Sequence, residues 1–146
     1  MDIEFSLALP RDAVGIPMVR RVIGDALRSV GVAQTCIAEL LIAVSEACTN
    51  AVRHGGPGNR YQVTAAIGRG RCELRIADSG SGLTAIPERY PPSHTENGRG
   101  ILIMQAMVDE LCFDIAPGQG TTVHLRKELT WDGEPTGRQT RELAAI

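Results

Sequence analysis

Residues 3–9, Ile-Glu-Phe-Ser-Leu-Ala-Leu, alternate apolar and polar and predict a first strand, which Pro10 closes. The period then turns helical. Val19, Val22, Ile23, Ala26 and Leu27 share one stripe, so a helix is predicted from Pro17 to about Val30, with proline in its first turn and Gly31 ending it. A second helix is expected over 33–54, with a stripe of Ile37, Leu40, Leu41, Val44, Ala47, Cys48 and Ala51. It stops at Gly55-Gly56-Pro57-Gly58, and Arg53 and His54 suit the negative end of its dipole. Residues 61–67 and 72–77 read as strands joined by Gly68-Arg69-Gly70, an antiparallel hairpin. The glycine- and proline-rich stretch 78–100 is too long for a simple connector and reads as a functional loop or lid. A helix over 101–109 and strands over 111–116 and 121–129 complete one domain, 1–130, followed by a polar, flexible tail, 131–146.

Composition narrows the classes. A chain of 146 residues with 43% hydrophobic content folds as one well-buried domain. Its net charge of −2 is dispersed, unlike the basic footprint of a nucleic-acid binder. No apolar run reaches the ~18 residues of a membrane span, and the Met1-Asp2-Ile3-Glu4 start has no basic signal-peptide region. Cys36, Cys48, Cys72 and Cys112 lie among apolar neighbours without Cys-x-x-Cys spacing, which predicts buried thiols and a cytoplasmic location. His54, His94 and His124 are scattered without ligand spacing, and His124 reads as a strand-face residue.

Four short motifs carry the candidate chemistry. Glu46 and Asn50 are four apart on the second helix, one turn or about 6 Å along its axis. Asn50 offers a neutral oxygen to Mg²⁺, and Glu46 can accept a proton from a nucleophilic hydroxyl or water. Alone, such a pair describes a solvated helix face. The small residues of Ser45-Glu46-Ala47-Cys48-Thr49-Asn50-Ala51 make a close ligand approach possible and favour a site. Asp78 ends a strand whose interior is Leu74 and Ile76, where a carboxylate needs a partner such as an adenine amino group. Gly80 and Gly82 would admit backbone to a base; the plain alternative is a tight turn.

Gly80-Ser-Gly82-Leu-Thr-Ala85 also matches a dinucleotide fingerprint, but Pro87, Pro91 and Pro92 oppose the helix that fingerprint requires. A P-loop is excluded, because no Gly-x-x-x-x-Gly-Lys exists and the only lysine is Lys127. Gly98-Arg99-Gly100 precedes the predicted third helix, whose free amides suit phosphate, and Arg99 adds charge. Gly118-Gln119-Gly120-Thr121-Thr122 opens the last strand as a turn that would pack under a nucleotide.

In this order the motifs resemble the ATP site of Bergerat-fold (GHKL) ATPases and kinases. Within that group the chain is similar, over about 3–129, to the stand-alone anti-sigma-factor serine/threonine kinases of bacterial partner-switching systems. Val44-Ser-Glu46-Ala-Cys-Thr-Asn50-Ala-Val-Arg-His54-Gly55 resembles their N box. Ile76-Ala-Asp78-Ser-Gly80-Ser-Gly82, Gly98-Arg-Gly100-Ile-Leu-Ile-Met and Gly120-Thr-Thr-Val resemble their glycine boxes. The resemblance implies an α/β two-layer sandwich: a mixed, mostly antiparallel sheet with helices on one face and ATP held under a lid. It implies that Asn50 holds Mg²⁺, Asp78 reads adenine and Glu46 is the catalytic base. The implied partners are a sigma factor and a STAS-type antagonist that the kinase phosphorylates, with Arg20 on the partner surface and a homodimer through the first strand's edge. Two features depart from the family. The lid, 89–97, is short and lysine-free, and no phosphoacceptor-histidine helix is present. The alternative is a nucleotide-binding module that sequesters a partner without efficient phosphotransfer.

Overall fold

The computed structural model describes residues 2–54, 58–78, 96–116 and 120–133. The elements run β1 (Ile3–Pro10), a 3-10 turn (Ala13–Gly15), α1 (Ile16–Ser29), α2 (Gln34–His54), β2 (Arg60–Gly68), β3 (Arg71–Asp78), α3 (Glu96–Met107), β4 (Glu110–Ala116) and β5 (Gly120–Glu128). The strands form one sheet in the order β1-β2-β3-β5-β4. Every pairing among the described strands is antiparallel, so the sheet lacks the parallel component that "mixed" implied. The reason is topological: β5 turns straight back from β4 and inserts beside β3.

Period-2 alternation sends one side of each strand inward. Val63, Ala65 and Ile67 of β2, Leu74 and Ile76 of β3, and Val123 and Leu125 of β5 are buried beneath the helices. Val19, Ile23 and Leu27 of α1, Leu40, Val44 and Ala47 of α2, and Ile101 and Met104 of α3 meet them. The central helix, α2, packs against both α1 and α3. By length and composition alone α2 is long and apolar enough to cross a bilayer, with mean hydropathy 1.4 over an 18-residue window, although Glu39 and Glu46 break it so that no uninterrupted apolar run spans that length. Its apolar stripe is instead the centre of this core, which is why it is so apolar.

Local signals explain the connections. Arg69 and Gly70 both have positive φ, 54° and 77°, and Gly68 pairs with Arg71, so the predicted hairpin closes on a two-residue turn that matches strand twist. Gly31, at φ 88°, ends α1 where predicted. The Val32 amide donates to Leu27 O and the Gly31 amide to Arg28 O, the paired bonds of a Schellman cap, and Val32 is buried beside it. The first residues of the expected tail are tied down: Trp131 bridges Val32, and the Asp132 amide donates to Gly31 O. Cys36, Cys48 and Cys72 are buried as expected, but Cys112 is exposed, because it points to the open side of β4.

Candidate active site

Glu46 and Asn50, both half-buried, lie on the flank of α2 that faces α3. The contact is through Gly100. A Cβ added there would lie 3.1 Å from Glu46 Oε1, 3.8 Å from Asn50 Oδ1 and 4.0 Å from Asn50 Nδ2. Glycine lets the α3 backbone pass this closely over the pair without displacing the Glu46 carboxylate. This corrects the expected role of the third glycine motif. The helix begins at Glu96, so Gly98, Arg99 and Gly100 lie inside α3 and not ahead of it. Gly98 keeps a place in the first turn, where amides lack intrahelical acceptors, whereas Gly100 serves close packing.

Beneath this contact is a narrow cleft of about 20 Å³, lined by Ala47, Asn50 and Ala51 of α2, Ile76 and Asp78 of β3, and Thr121 and Val123 of β5. Asp78 and Thr121 are opposed in register across β3 and β5 and only 6% and 5% exposed, polar side chains within a largely apolar buried set among the described residues. Thr121 Oγ1 is buried and has no hydrogen-bond partner among the described residues. A buried unsatisfied hydroxyl costs about 1–3 kcal/mol, which a bound polar group would recover. The alanines of α2 leave the floor open, and Ile76 and Val123, two residues from Asp78 and Thr121, form its apolar walls. Period-2 alternation places both side chains on the buried face of the sheet, but only the packing of α2 over that face makes them walls of a cleft.

Not every candidate converges here. Thr122 is next to Thr121 and so projects to the opposite, open face of the sheet, paired with Ala77 and Asp114. Arg99 is exposed on α3. Gly120 is buried with φ 109°, which favours glycine at the start of β5. Gly80 and Gly82 fall outside the described residues, as does the lid. Arg20 lies on the α1 side of α2, where its Nη1 donates to Ser45 Oγ at 2.6 Å and to Leu41 O at 3.1 Å. A broader concavity of about 410 Å³ occupies the open face of the sheet between charged side chains such as Arg75 and the ion pair Arg126–Glu110, 2.8 Å apart. It has no access to the Asn50–Asp78 cleft, because the sheet itself lies between them.

The donor set fits a metal that arrives with its ligand. Among the described residues no three His, Cys, Asp or Glu side chains are grouped to hold an ion. Mg²⁺ typically binds through one or two protein oxygens plus substrate phosphates and waters, and Asn50 beside Glu46 matches that sparse arrangement.

Three helices over an antiparallel sheet, with a polar pair on the central helix facing a buried Asp and Thr at the strand ends, define a Bergerat-type ATPase domain. The chain belongs to the histidine kinase-like ATPase domain family, whose model matches residues 9–127. It is 31% identical over 136 residues to a protein named anti-sigma F factor from Halalkalibacterium halodurans, covering 87% of this chain and 93% of that protein. It is 33% identical over 140 residues to a protein named serine-protein kinase RsbW from Bacillus velezensis, covering 87% and 85% respectively. In fold it resembles a structure of the RsbU and RsbW domains of a Mycobacterium tuberculosis protein, with TM-score 0.66 and 24% identity over 87% of this chain and 32% of that one.

Proposed function

We propose that this chain is an ATP-dependent serine/threonine protein kinase and anti-sigma factor, which sequesters a sigma factor and phosphorylates a STAS-type antagonist. The observation that carries the site is the contact of Gly100 with Glu46 and Asn50 directly above the Asp78–Thr121 pair. The names of the relatives, anti-sigma F factor and serine-protein kinase, support a sigma factor as partner and a protein serine as acceptor, and the STAS-type antagonist is the acceptor that the motif resemblance implies. Asp78 accepts from the adenine amino group, and the Thr121 hydroxyl satisfies a second polar position of the base. The described cleft has room for about one water molecule, so the base lies over these residues and not below them. Asn50 Oδ1 is the protein ligand of Mg²⁺, which supplies charge neutralisation at the phosphates when bound. Glu46 takes the proton of the acceptor serine hydroxyl as its oxygen attacks the γ-phosphorus, the bond to the β-phosphate oxygen breaks, and ADP leaves.

The test is incubation of the purified chain with ATP, Mg²⁺ and each STAS protein encoded in the same genome, scored by intact mass. One antagonist should gain a single phosphoryl group on serine or threonine. If none does while a sigma factor is still captured, the sequestering module without transfer replaces the kinase. The exposed edge of β1 is where a second copy would pair. A light-scattering mass of 15.6 kDa at tens of micromolar would remove that homodimer.

A further inference from the structure

We propose that Arg11, at the exit of β1, is a positioning residue for the nucleotide site; the proposal rests on the reading of Asn50 as the Mg²⁺ ligand. The guanidinium of Arg11 is part-buried and crosses to the C-terminal end of α2. Its Nη2 donates to Val52 O at 3.0 Å and its Nη1 to Gly58 O at 2.7 Å, while its backbone amide donates to Asn59 O at 2.9 Å. One side chain thus joins the two sides of the Gly55-Gly56-Pro57 segment, whose own side chains offer no polar group to hold it.

The placement matters because of what lies next to it. Val52 is among the last four residues of α2, whose carbonyls have no donor from their own helix. It is two residues beyond Asn50, whereas Glu46 is a full turn deeper. Fraying from this end therefore reaches Asn50 before it reaches Glu46. A fixed guanidinium fork satisfies one of the free carbonyls, sets a positive charge at the negative end of the helix dipole, and ties that end to Gly58. Lysine would keep the charge but not the fork, so it could reach one acceptor only.

The effect expected of Arg11 is accordingly on Mg·ATP affinity more than on the proton transfer at Glu46. Two readouts test it on the full chain, one of them free of nucleotide. In Arg11→Met, amide hydrogen exchange of the ligand-free protein should quicken over 50–54 and not over 36–46. The Kd for Mg·ATP should rise about tenfold, the factor for one charge-assisted hydrogen bond, with kcat within about twofold of wild type. Arg11→Lys should fall between the two, and it serves alone if Arg11→Met does not fold. Affinity within twofold of wild type in either folded variant would overturn the proposal, leaving Arg11 as a tie of the fold. Asn50→Ala is measured alongside. If it leaves Mg·ATP affinity unchanged, the metal site falls and the role of Arg11 with it. If it weakens affinity and the Arg11 variants do not, only the role of Arg11 falls.

Discussion

Glu46 and Asn50 share one flank of one helix, yet substitutions there should separate chemistry from binding. Glu46→Gln keeps the shape of the side chain and its place beside Gly100 but cannot take a proton. Phosphotransfer should drop by ~10²–10⁴ while ATP affinity holds. Single-turnover assays with a titrated nucleotide distinguish these, and normal transfer would leave catalysis to positioning and Mg²⁺. Thr121 poses the opposite case. Its hydroxyl is buried without a partner among the described residues, so Thr121→Val, nearly the same shape, should raise Tm because an unsatisfied polar group is removed. The same change should weaken ATP binding, since the base loses that hydroxyl. A variant that is both more stable and weaker in binding marks a group kept for a ligand; higher Tm with unchanged affinity would take Thr121 out of the site.

The helices meet the site at two contacts of opposite character. At the α2–α3 contact, Gly100→Ala gains about 1 kcal/mol of helix propensity but places a Cβ 3.1 Å from Glu46 Oε1. That separation is tighter than ordinary packing, so the carboxylate must shift by a few tenths of an ångström. The expected outcome is a variant with unchanged or higher Tm and a phosphotransfer rate lowered at least tenfold. A wild-type rate would mean that Glu46 has room to move and that its placement is not critical. At the α1–α2 contact, Arg20 and Arg21 are both exposed, and Arg20 is held against Leu41 O and Ser45 Oγ on the residue next to Glu46. Arg20→Glu should reduce capture of the cognate partner with ATP affinity intact. An unaltered complex in a pull-down would move the interface elsewhere.

Across the molecule, the burial of thiols makes the fold sensitive to alkali. Desolvation pushes the Cys48 and Cys72 thiols from the ordinary 9.0 up to about 12, and the buried Tyr61 phenol is raised as well. The unfolded chain releases each thiol proton near pH 9, and the folded chain holds it until about pH 12. Their contribution is therefore complete below pH 9 and is lost as pH rises towards 12. Calorimetry between pH 8 and 11 should show Tm falling above 9, with a shallower fall in a Cys48→Ala, Cys72→Ala double variant. A flat profile would mean that these thiols already ionise in the folded state.

What local pattern can encode was legible in the chain: the two long helices, the Gly68–Arg71 hairpin, the stop at Gly31, and Glu46 and Asn50 on one flank of α2. These depend on residues within a turn or two of each other, and alternation or helical period records them directly. Asp78 and Thr121 were each readable as residues at strand ends with a possible ligand. Their pairing was not, because it depends on β5 inserting between β3 and β4, a choice made by long-range burial and not by either strand's own sequence. The same tertiary choice turned Thr122 away from the cleft, set Gly100 against Glu46, and carried Arg11 from the exit of β1 to the far end of α2. Those contacts join positions 41 to 54 residues apart in the chain, beyond the reach of any local periodicity, and only the packed sheet and helices bring them together.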